Sequence, residues 1–175
     1  MRKLTILIIL LATAVVALPQ QMQMPMPKTS GPQSDAQKAF EKLKTLAGSW
    51  EGTYMGMYGK VTIRVTSTGN AILLEMTSPG GPDDPITMIY VDGDRLLLTH
   101  FCDSGNRPRM QGRLSPDGNT VTFDFLDVSG SAEKFLMHDV VFTIVDADHH
   151  IEAWTYSLNG KPPIRAPGIQ LQRTK

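Results

Sequence analysis

Features that stabilise or activate many small proteins are scarce in this sequence. Its single cysteine, Cys102, rules out a disulfide within the chain. Basic and acidic residues are balanced, 17 of each among 175 residues, so we expect no basic face and no nucleic-acid partner. The fold must therefore be held together by side-chain packing and strand pairing alone.

The common signatures of catalytic sites are missing too. The sequence contains no Gly-x-Ser-x-Gly, no phosphate-binding Gly-Lys-Ser/Thr loop, no dinucleotide fingerprint and no His-Glu-x-x-His. Serine, histidine and aspartate all occur, but no spacing links them into a triad. The sequence therefore favours a function other than catalysis. An enzyme that uses the interior of the domain, with a histidine or Glu152 as general acid or base, is kept as an alternative.

The N-terminal segment has the pattern of an export signal. Arg2 and Lys3 precede an uncharged, mainly apolar run of 13 residues from Leu4 to Val16, which is too short to span about 30 Å of hydrocarbon at about 1.5 Å per helical residue. The pattern predicts a signal peptide, residues 1–17, cleaved after Ala17. The protein is then secreted or periplasmic, with no membrane span after cleavage.

A linker and one helix are predicted to follow. Residues 18–34 are rich in Met, Pro and Gln and show no periodicity, which is typical of a disordered linker. Apolar residues at helical spacing between Asp35 and Leu46 predict a short amphipathic helix, with Ser34 or Asp35 as its N-cap and an end near Gly48. The helix opens the folded domain, predicted to span residues 35–175.

After Gly48 the hydrophobic period changes from about 3.6 to 2, the period of β-strands. Val61, Ile63 and Val65, for example, alternate with polar residues. Nine turn signals at short intervals imply about ten strands in an antiparallel meander. Because closure removes exposed sheet edges, we predict an all-β, closed, up-and-down barrel. A two-sheet sandwich is the main alternative.

One short motif and several longer runs resemble known barrel families. Gly48-Ser49-Trp50, just after the predicted helix, resembles the Gly-x-Trp motif of the calycin barrels, which include lipocalins and fatty-acid-binding proteins. The resemblance implies that Trp50 plugs one end of the barrel and that Arg173, on the last strand, packs across it. The runs LKTLAGSWEG, LLLTHFCDSGNRPRM, SPDGNTVTFDF and HDVVFTIVDADHHIEAWTY are similar to a bacterial lipocalin-like family of unknown function. That family implies a ten-stranded barrel and no established activity. A more distant similarity is to nitrobindin-type haem barrels, whose haem-ligating histidine has no matching position here.

Strand alternation predicts which side chains face the barrel interior. It places His100 and His138 inside, among aliphatic, Met and aromatic groups. A buried imidazole needs a partner, which is a ligand, a haem iron, or a neighbouring group of the protein. Further candidates for the same interior are Met88, Tyr90, Cys102 and Met110.

Two polar segments complete the list of candidates. Asn106 and Arg109 lie in a loop that either forms a lid at the barrel mouth or simply joins two strands. Glu152 and Trp154 share one face of a strand, and the sequence leaves open whether that face points inward. We predict a module that binds a small, mainly apolar ligand, without a metal site. The alternatives are a haem or nitric-oxide-handling barrel with a histidine axial ligand, an enzyme, and a structural envelope protein.

Overall fold

The computed structural model describes residues 32–54, 56–81 and 83–174. The predicted signal peptide, and the linker as far as residue 31, lie outside these residues. The domain begins with helix α1 (Asp35–Lys44), and a short 3-10 segment, Ser67–Gly69, follows the second strand. No helix in the described ranges is long and apolar enough to cross a membrane. The strands are β1 (Gly48–Tyr54), β2 (Met57–Thr66), β3 (Ala71–Thr77), β4 (Ile86–Asp92), β5 (Arg95–Phe101), β6 (Arg107–Leu114), β7 (Thr120–Ser129), β8 (Phe135–Ile144), β9 (His149–Leu158), β10 (Ile164–Arg165) and β11 (Ile169–Arg173).

The strands form one closed antiparallel barrel. Each strand from β1 to β9 pairs with the next along the chain, and β11 pairs with both β9 and β1. This closure makes a ring of ten strands, while the two-residue β10 lies beside β9. The predicted all-β, up-and-down barrel with one preceding helix is confirmed. The sandwich alternative is wrong, because every strand of the ring pairs with a neighbour on both sides.

Helix α1 covers one end of the barrel. Ser34 caps it by accepting a hydrogen bond from the Gln37 backbone N–H at 3.1 Å. The apolar stripe of the helix is buried and joins the barrel core. Its buried members are Ala36, Ala39, Phe40 and Leu43. The helix ends at Lys44, two residues before its predicted end at Leu46. The Leu46 carbonyl instead accepts a 2.8 Å hydrogen bond from Trp50 Nε1.

Trp50 and Arg173 lie together at the end covered by the helix. They are direct partners in the β1–β11 register, and the Arg173 guanidinium lies 4.1 Å from the centre of the Trp50 ring. Arg173 also donates hydrogen bonds to the carbonyls of Thr45 and Ala47. Gly48 lies beneath it with φ of +144°, and a Cβ there would sit 2.3 Å from Arg173 Nη1. This explains physically why glycine precedes the tryptophan by two residues.

The half of the barrel next to the helix is filled by side chains. Leu96, Leu98 and Met110 are fully buried there, and the rings of Phe123 and Phe142 meet edge to face at 6.0 Å. These residues belong to a single core that also includes the helix stripe. Any internal space must therefore lie toward the opposite end.

The barrel wall is interrupted between β7 and β8. Backbone pairing between them stops at Phe123 and Val140. Beyond that point the Asp139 side chain enters the ladder and accepts a 2.9 Å hydrogen bond from the Phe125 backbone N–H. The ring of His138 stacks on the Phe125 ring at 4.6 Å. Side chains, rather than backbone hydrogen bonds, thus close this part of the wall.

The interruption corrects the prediction for His138. The β8–β9 register shifts between Met137 and Asp139, which is the signature of a β-bulge at His138. The bulge reverses the alternation, so that Met137 lines the interior. The His138 side chain is 30% exposed, and its Nδ1 lies 2.9 Å from Asp139 Oδ2. The expectation that His138 faces the interior is wrong.

Candidate functional site

An apolar cavity of about 120 Å³ lies in the half of the barrel away from the helix. We call it the His100 cavity. Its wall is almost wholly apolar, and in the described part of the chain it includes no lysine, arginine, aspartate or glutamate. The lining residues are Leu74, Met76, Pro85, Thr87, His100, Met137, Trp154, Tyr156, Ala166, Pro167 and Ile169. A second space of about 60 Å³ adjoins it and shares Met76 and Ile169.

Strands and two proline-containing segments build this cavity together. Pro85 directly precedes β4, and Ala166 and Pro167 lie between β10 and β11. The Ala166 backbone N–H donates a 2.8 Å hydrogen bond to the Trp154 carbonyl, which fixes the second segment against β9. The Pro85 carbonyl likewise accepts a 3.1 Å hydrogen bond from the Met76 backbone N–H, and because proline has a fixed φ and no N–H to donate, regular strand pairing ends at these segments.

His100 is the imidazole in the cavity wall. Its side chain faces inward from β5 and is 3% exposed. Nδ1 lies 2.9 Å from the hydroxyl of Thr87, its cross-strand partner on β4. Burial lowers the pKa of His100 to about 4. The ring is therefore neutral at neutral pH, and it packs against Trp154 with 5.0 Å between ring centres.

A buried polar network runs along β9 beside the cavity. Glu152 is 0% exposed, and its Oε1 lies 3.1 Å from His150 Nε2. Trp154 Nε1 donates a 3.2 Å hydrogen bond to Glu152 Oε2. The β9 face that the sequence left undecided thus points inward. Glu152 itself does not line the His100 cavity, but Trp154 connects the network to it.

One atom of this network has no hydrogen-bond partner among the described residues. It is Nδ1 of His150, which is buried. The His150 ring meets the Trp50 ring edge to face, with 4.2 Å between their centres. The aromatic chain from Arg173 and Trp50 therefore reaches the cavity through the His150–Glu152–Trp154 network.

Two candidates on β4 face away from the interior. The register pairs Thr87 with His100 and Ile89 with Leu98, and Thr87 and Ile89 are buried. Met88 and Tyr90 therefore lie on the outer face of the sheet, half-buried. Their predicted place in the interior is wrong, because both faces of this strand carry apolar residues and the alternation was assigned one residue out of phase.

The remaining candidates also lie outside the cavity. The Asn106 amide is buried and donates to the carbonyls of Ser131 and Phe135, so it anchors a loop. Arg109 is exposed and forms an ion pair with Asp127 on the outer surface. Met110 is buried in the filled half of the core. None of these three lines the cavity. Of the two alternatives for the segment with Asn106 and Arg109, a lid or a plain connection between strands, the structure has the plain connection from β5 to β6.

Cys102 lies just beyond the end of β5 and does not line the cavity either. Its Sγ is 2.9 Å from Ser104 Oγ. Together with Asp83 and Asp103 it forms a group whose possible ligand atoms lie within 4.8 Å of one another. Exposed acids and one thiol in loops form such groups without binding a metal, and we assign no site to them.

The residues present do not fit a haem group. A cavity of about 120 Å³ is smaller than the roughly 150 Å³ that encloses one benzene molecule, and a porphyrin is several times larger. His138, one of the two predicted axial ligands, lies at the wall with Nδ1 directed at Asp139. His100 faces a space too small for the macrocycle. We therefore do not propose a haem-dependent function.

Several cavity residues were not among the sequence candidates. Thr87 and Met137 follow only from the register of β4 and from the bulge in β8. Pro85, Ala166 and Pro167 lie in segments between strands, where alternation carries no information. Tyr156 shares the parity of Trp154, so it becomes a candidate once the orientation of β9 is known.

The fold and cavity define a class: a closed ten-strand antiparallel barrel, filled at one end and hollow at the other. The crystal structure of Rv2717c from M. tuberculosis is similar, with a TM-score of 0.60 and 17% sequence identity over 78% of this chain and 98% of that chain. No protein-family model matches the sequence, and no curated protein is similar to it in sequence. At this identity the likeness concerns the fold alone. Membership of the bacterial lipocalin-like family stays a prediction.

Proposed function

We propose that this protein is an exported binding module that holds a small, mainly apolar molecule in the His100 cavity. The observation that carries the proposal is the cavity itself: lined by barrel strands and two proline-containing segments, almost wholly apolar and about 120 Å³ in volume. Apolar cavities of this kind stay dry and take up small apolar molecules, because an ordered water needs about two to four polar partners and this wall offers too few. Trp154 and Met137 supply polarizable contact surface.

The volume limits the ligand. A space of about 120 Å³ accommodates about five non-hydrogen atoms, since the six of benzene occupy a cavity of about 150 Å³, and a six-atom ligand fits with small shifts of the lining side chains. With at most about 1.5 kcal/mol of binding free energy per atom, we expect dissociation constants in the micromolar to millimolar range. A larger ligand would need Met76 or Ile169 to move and join the cavity to its 60 Å³ neighbour.

The test is to fill the cavity. Ala166 is buried in its wall, so Ala166→Leu should place three more carbon atoms inside and abolish binding. The matched control is Ala147→Leu, the same substitution at an exposed position. Binding of benzene and cyclohexane, followed through the methyl NMR signal of Met137, should be saturable in the wild type and the control. Saturable binding in Ala166→Leu, or none in the wild type, contradicts the proposal.

Export is the second part of the proposal and rests on the N-terminal sequence. We expect a Gram-negative host to release a mature protein that begins at Leu18, as measured by intact-protein mass. Ala17→Arg should block cleavage, because the residue before the cleavage site must be small. A wild-type protein that stays in the cytoplasm with residues 1–17 attached contradicts export and leaves the binding proposal unaffected.

A further inference from the structure

We infer that the His100 cavity selects small neutral molecules that carry one hydrogen-bond acceptor, such as a ketone or aldehyde oxygen, and that His100 Nε2–H is the donor. This inference rests on the proposed binding function and goes on to name the chemical class of the ligand. It follows from the position of His100, its bond to Thr87 and the composition of the cavity wall.

The first step is the direction of the imidazole. His100 and Thr87 are cross-strand partners, and both side chains point inward. The Nδ1–Oγ1 hydrogen bond therefore holds Nδ1 close to the wall. Nε2 lies on the opposite side of the ring, away from Thr87. Among the described residues, no group forms a hydrogen bond with Nε2, and His100 lines the cavity.

The second step is the tautomer. Thr87 is 1% exposed, and among the described residues its hydroxyl forms a hydrogen bond with His100 Nδ1. If the hydroxyl donates to Nδ1, both groups are satisfied, and the ring proton of the neutral imidazole is on Nε2. If Nδ1–H donates instead, the buried hydroxyl hydrogen has no acceptor in the described part of the chain, which is costly. The first arrangement gives the cavity a single N–H donor.

The third step is charge. The lining contains no lysine or arginine among the described residues. The imidazole is kept neutral by the same burial that lowers its pKa to about 4. A carboxylate would therefore lose its hydration without gaining an ion pair, which is strongly unfavourable. A ketone oxygen loses far less hydration and accepts one hydrogen bond from Nε2–H.

The experiment compares three molecules with six non-hydrogen atoms each: cyclohexane, cyclopentanone and isobutyrate. Their dissociation constants are measured in wild type and in His100→Leu through the Met137 methyl signal. The ratio of the cyclohexane to the cyclopentanone constant should fall about 5- to 10-fold in the variant, the worth of one net hydrogen bond. Isobutyrate should not bind at concentrations that saturate the protein with cyclopentanone.

A measurement on the wild type keeps the test decisive even if His100→Leu fails to fold. In the ¹⁵N NMR spectrum of the imidazoles, His100 should show a protonated Nε2 whose signal moves with cyclopentanone and not with cyclohexane. If both neutral molecules bind but the Nε2 signal or the ratio does not respond, the selectivity is refuted and the binding function stands. If neither binds to the wild type, the proposed function fails and the selectivity with it. Isobutyrate that binds as tightly as cyclopentanone also overturns the inference.

Discussion

Replacing Glu152 by leucine removes the acceptor at the centre of the buried polar network. Trp154 Nε1 donates to one carboxylate oxygen, and His150 Nε2 lies 3.1 Å from the other. In Glu152→Leu both nitrogens stay buried and lose their partner. Each buried, unsatisfied group costs about 1–3 kcal/mol, so the two together cost about 2–6 kcal/mol. We expect the free energy of unfolding to fall by about 3–4 kcal/mol.

Glu152→Gln separates hydrogen bonding from charge. The amide oxygen of glutamine can accept from Trp154 Nε1, and its NH₂ group can donate to His150 Nε2 when the imidazole proton is on Nδ1. Both hydrogen bonds made by Glu152 are replaced in this variant, and His150 Nδ1 has no partner among the described residues of the wild type either, so we expect a loss within about 1 kcal/mol.

The assay is equilibrium unfolding in urea at pH 7, with Glu133→Leu as the control at an exposed position. Glu133→Leu should lie within about 0.5 kcal/mol of the wild type. Two results refute the reasoning about Glu152. A Glu152→Leu protein as stable as the wild type means that the network contributes nothing. A Glu152→Gln protein as unstable as Glu152→Leu means that the negative charge, not the hydrogen bonding, is required.

Three more predictions concern the cavity, the interrupted wall and the covered end. Folding keeps the pKa of His100 near 4, against 6.5 for an ordinary histidine, so the unfolded chain binds a proton at a higher pH than the folded protein does. The free energy of unfolding therefore falls by up to about 3 kcal/mol as the pH falls from about 6.5 to about 4. Urea titrations at pH 7 and 4.5 should show a smaller acid loss in His100→Leu, and equal losses refute the shift. Asp139→Ala should speed hydrogen exchange at the Phe125 amide and cost about 1–2 kcal/mol, whereas Asp139→Asn keeps an acceptor and should exchange nearly as slowly as wild type; an unchanged rate in Asp139→Ala contradicts the bridging role. Gly48→Ala should cost about 2 kcal/mol or more, from its positive φ and the clash with Arg173 Nη1; the cost should be smaller in an Arg173→Met background, and strict additivity argues against the clash.

Simple alternation was enough to predict the fold and the inward position of His100. On β6 the charged Arg109 and Arg113 alternate with Met110, and on β5 the charged Arg95 favours the phase that points Leu98 and His100 inward although Leu97 and Phe101 are apolar too. The period-2 pattern and the turn signals predicted about ten strands, and the ring has ten. These features are local, and each strand carries its own signal.

The errors arise where orientation depends on a neighbouring strand. On β4, Met88 and Ile89 are both apolar, so only pairing with β5 decides which of them faces inward. On β8, a one-residue bulge places His138 in the interrupted wall and Met137 in the cavity lining, and no residue type marks the bulge in the sequence. Bulges and register belong to the pairing between strands, and a single sequence does not record them.

The face of β9 that carries Glu152 was undecided for a different reason. Burying a carboxylate is costly unless partners satisfy it, and the opposite face of the strand carries the apolar Ile151 and Ala153. The sequence therefore did not decide which face points inward. The structure supplies His150 and Trp154, each two residues away on the same face. Alternation places all three side chains together, and the hydrogen bonds among them offset the cost of burying the Glu152 carboxylate.

The most direct test of the central claim is a crystal of the folded domain pressurised with xenon, an atom that occupies dry apolar spaces. We expect one strong xenon peak inside the barrel, in contact with His100, Met137 and Trp154, and none at that position in Ala166→Leu. A barrel whose centre is packed with side chains, or a site at that position occupied only by ordered water, contradicts the account.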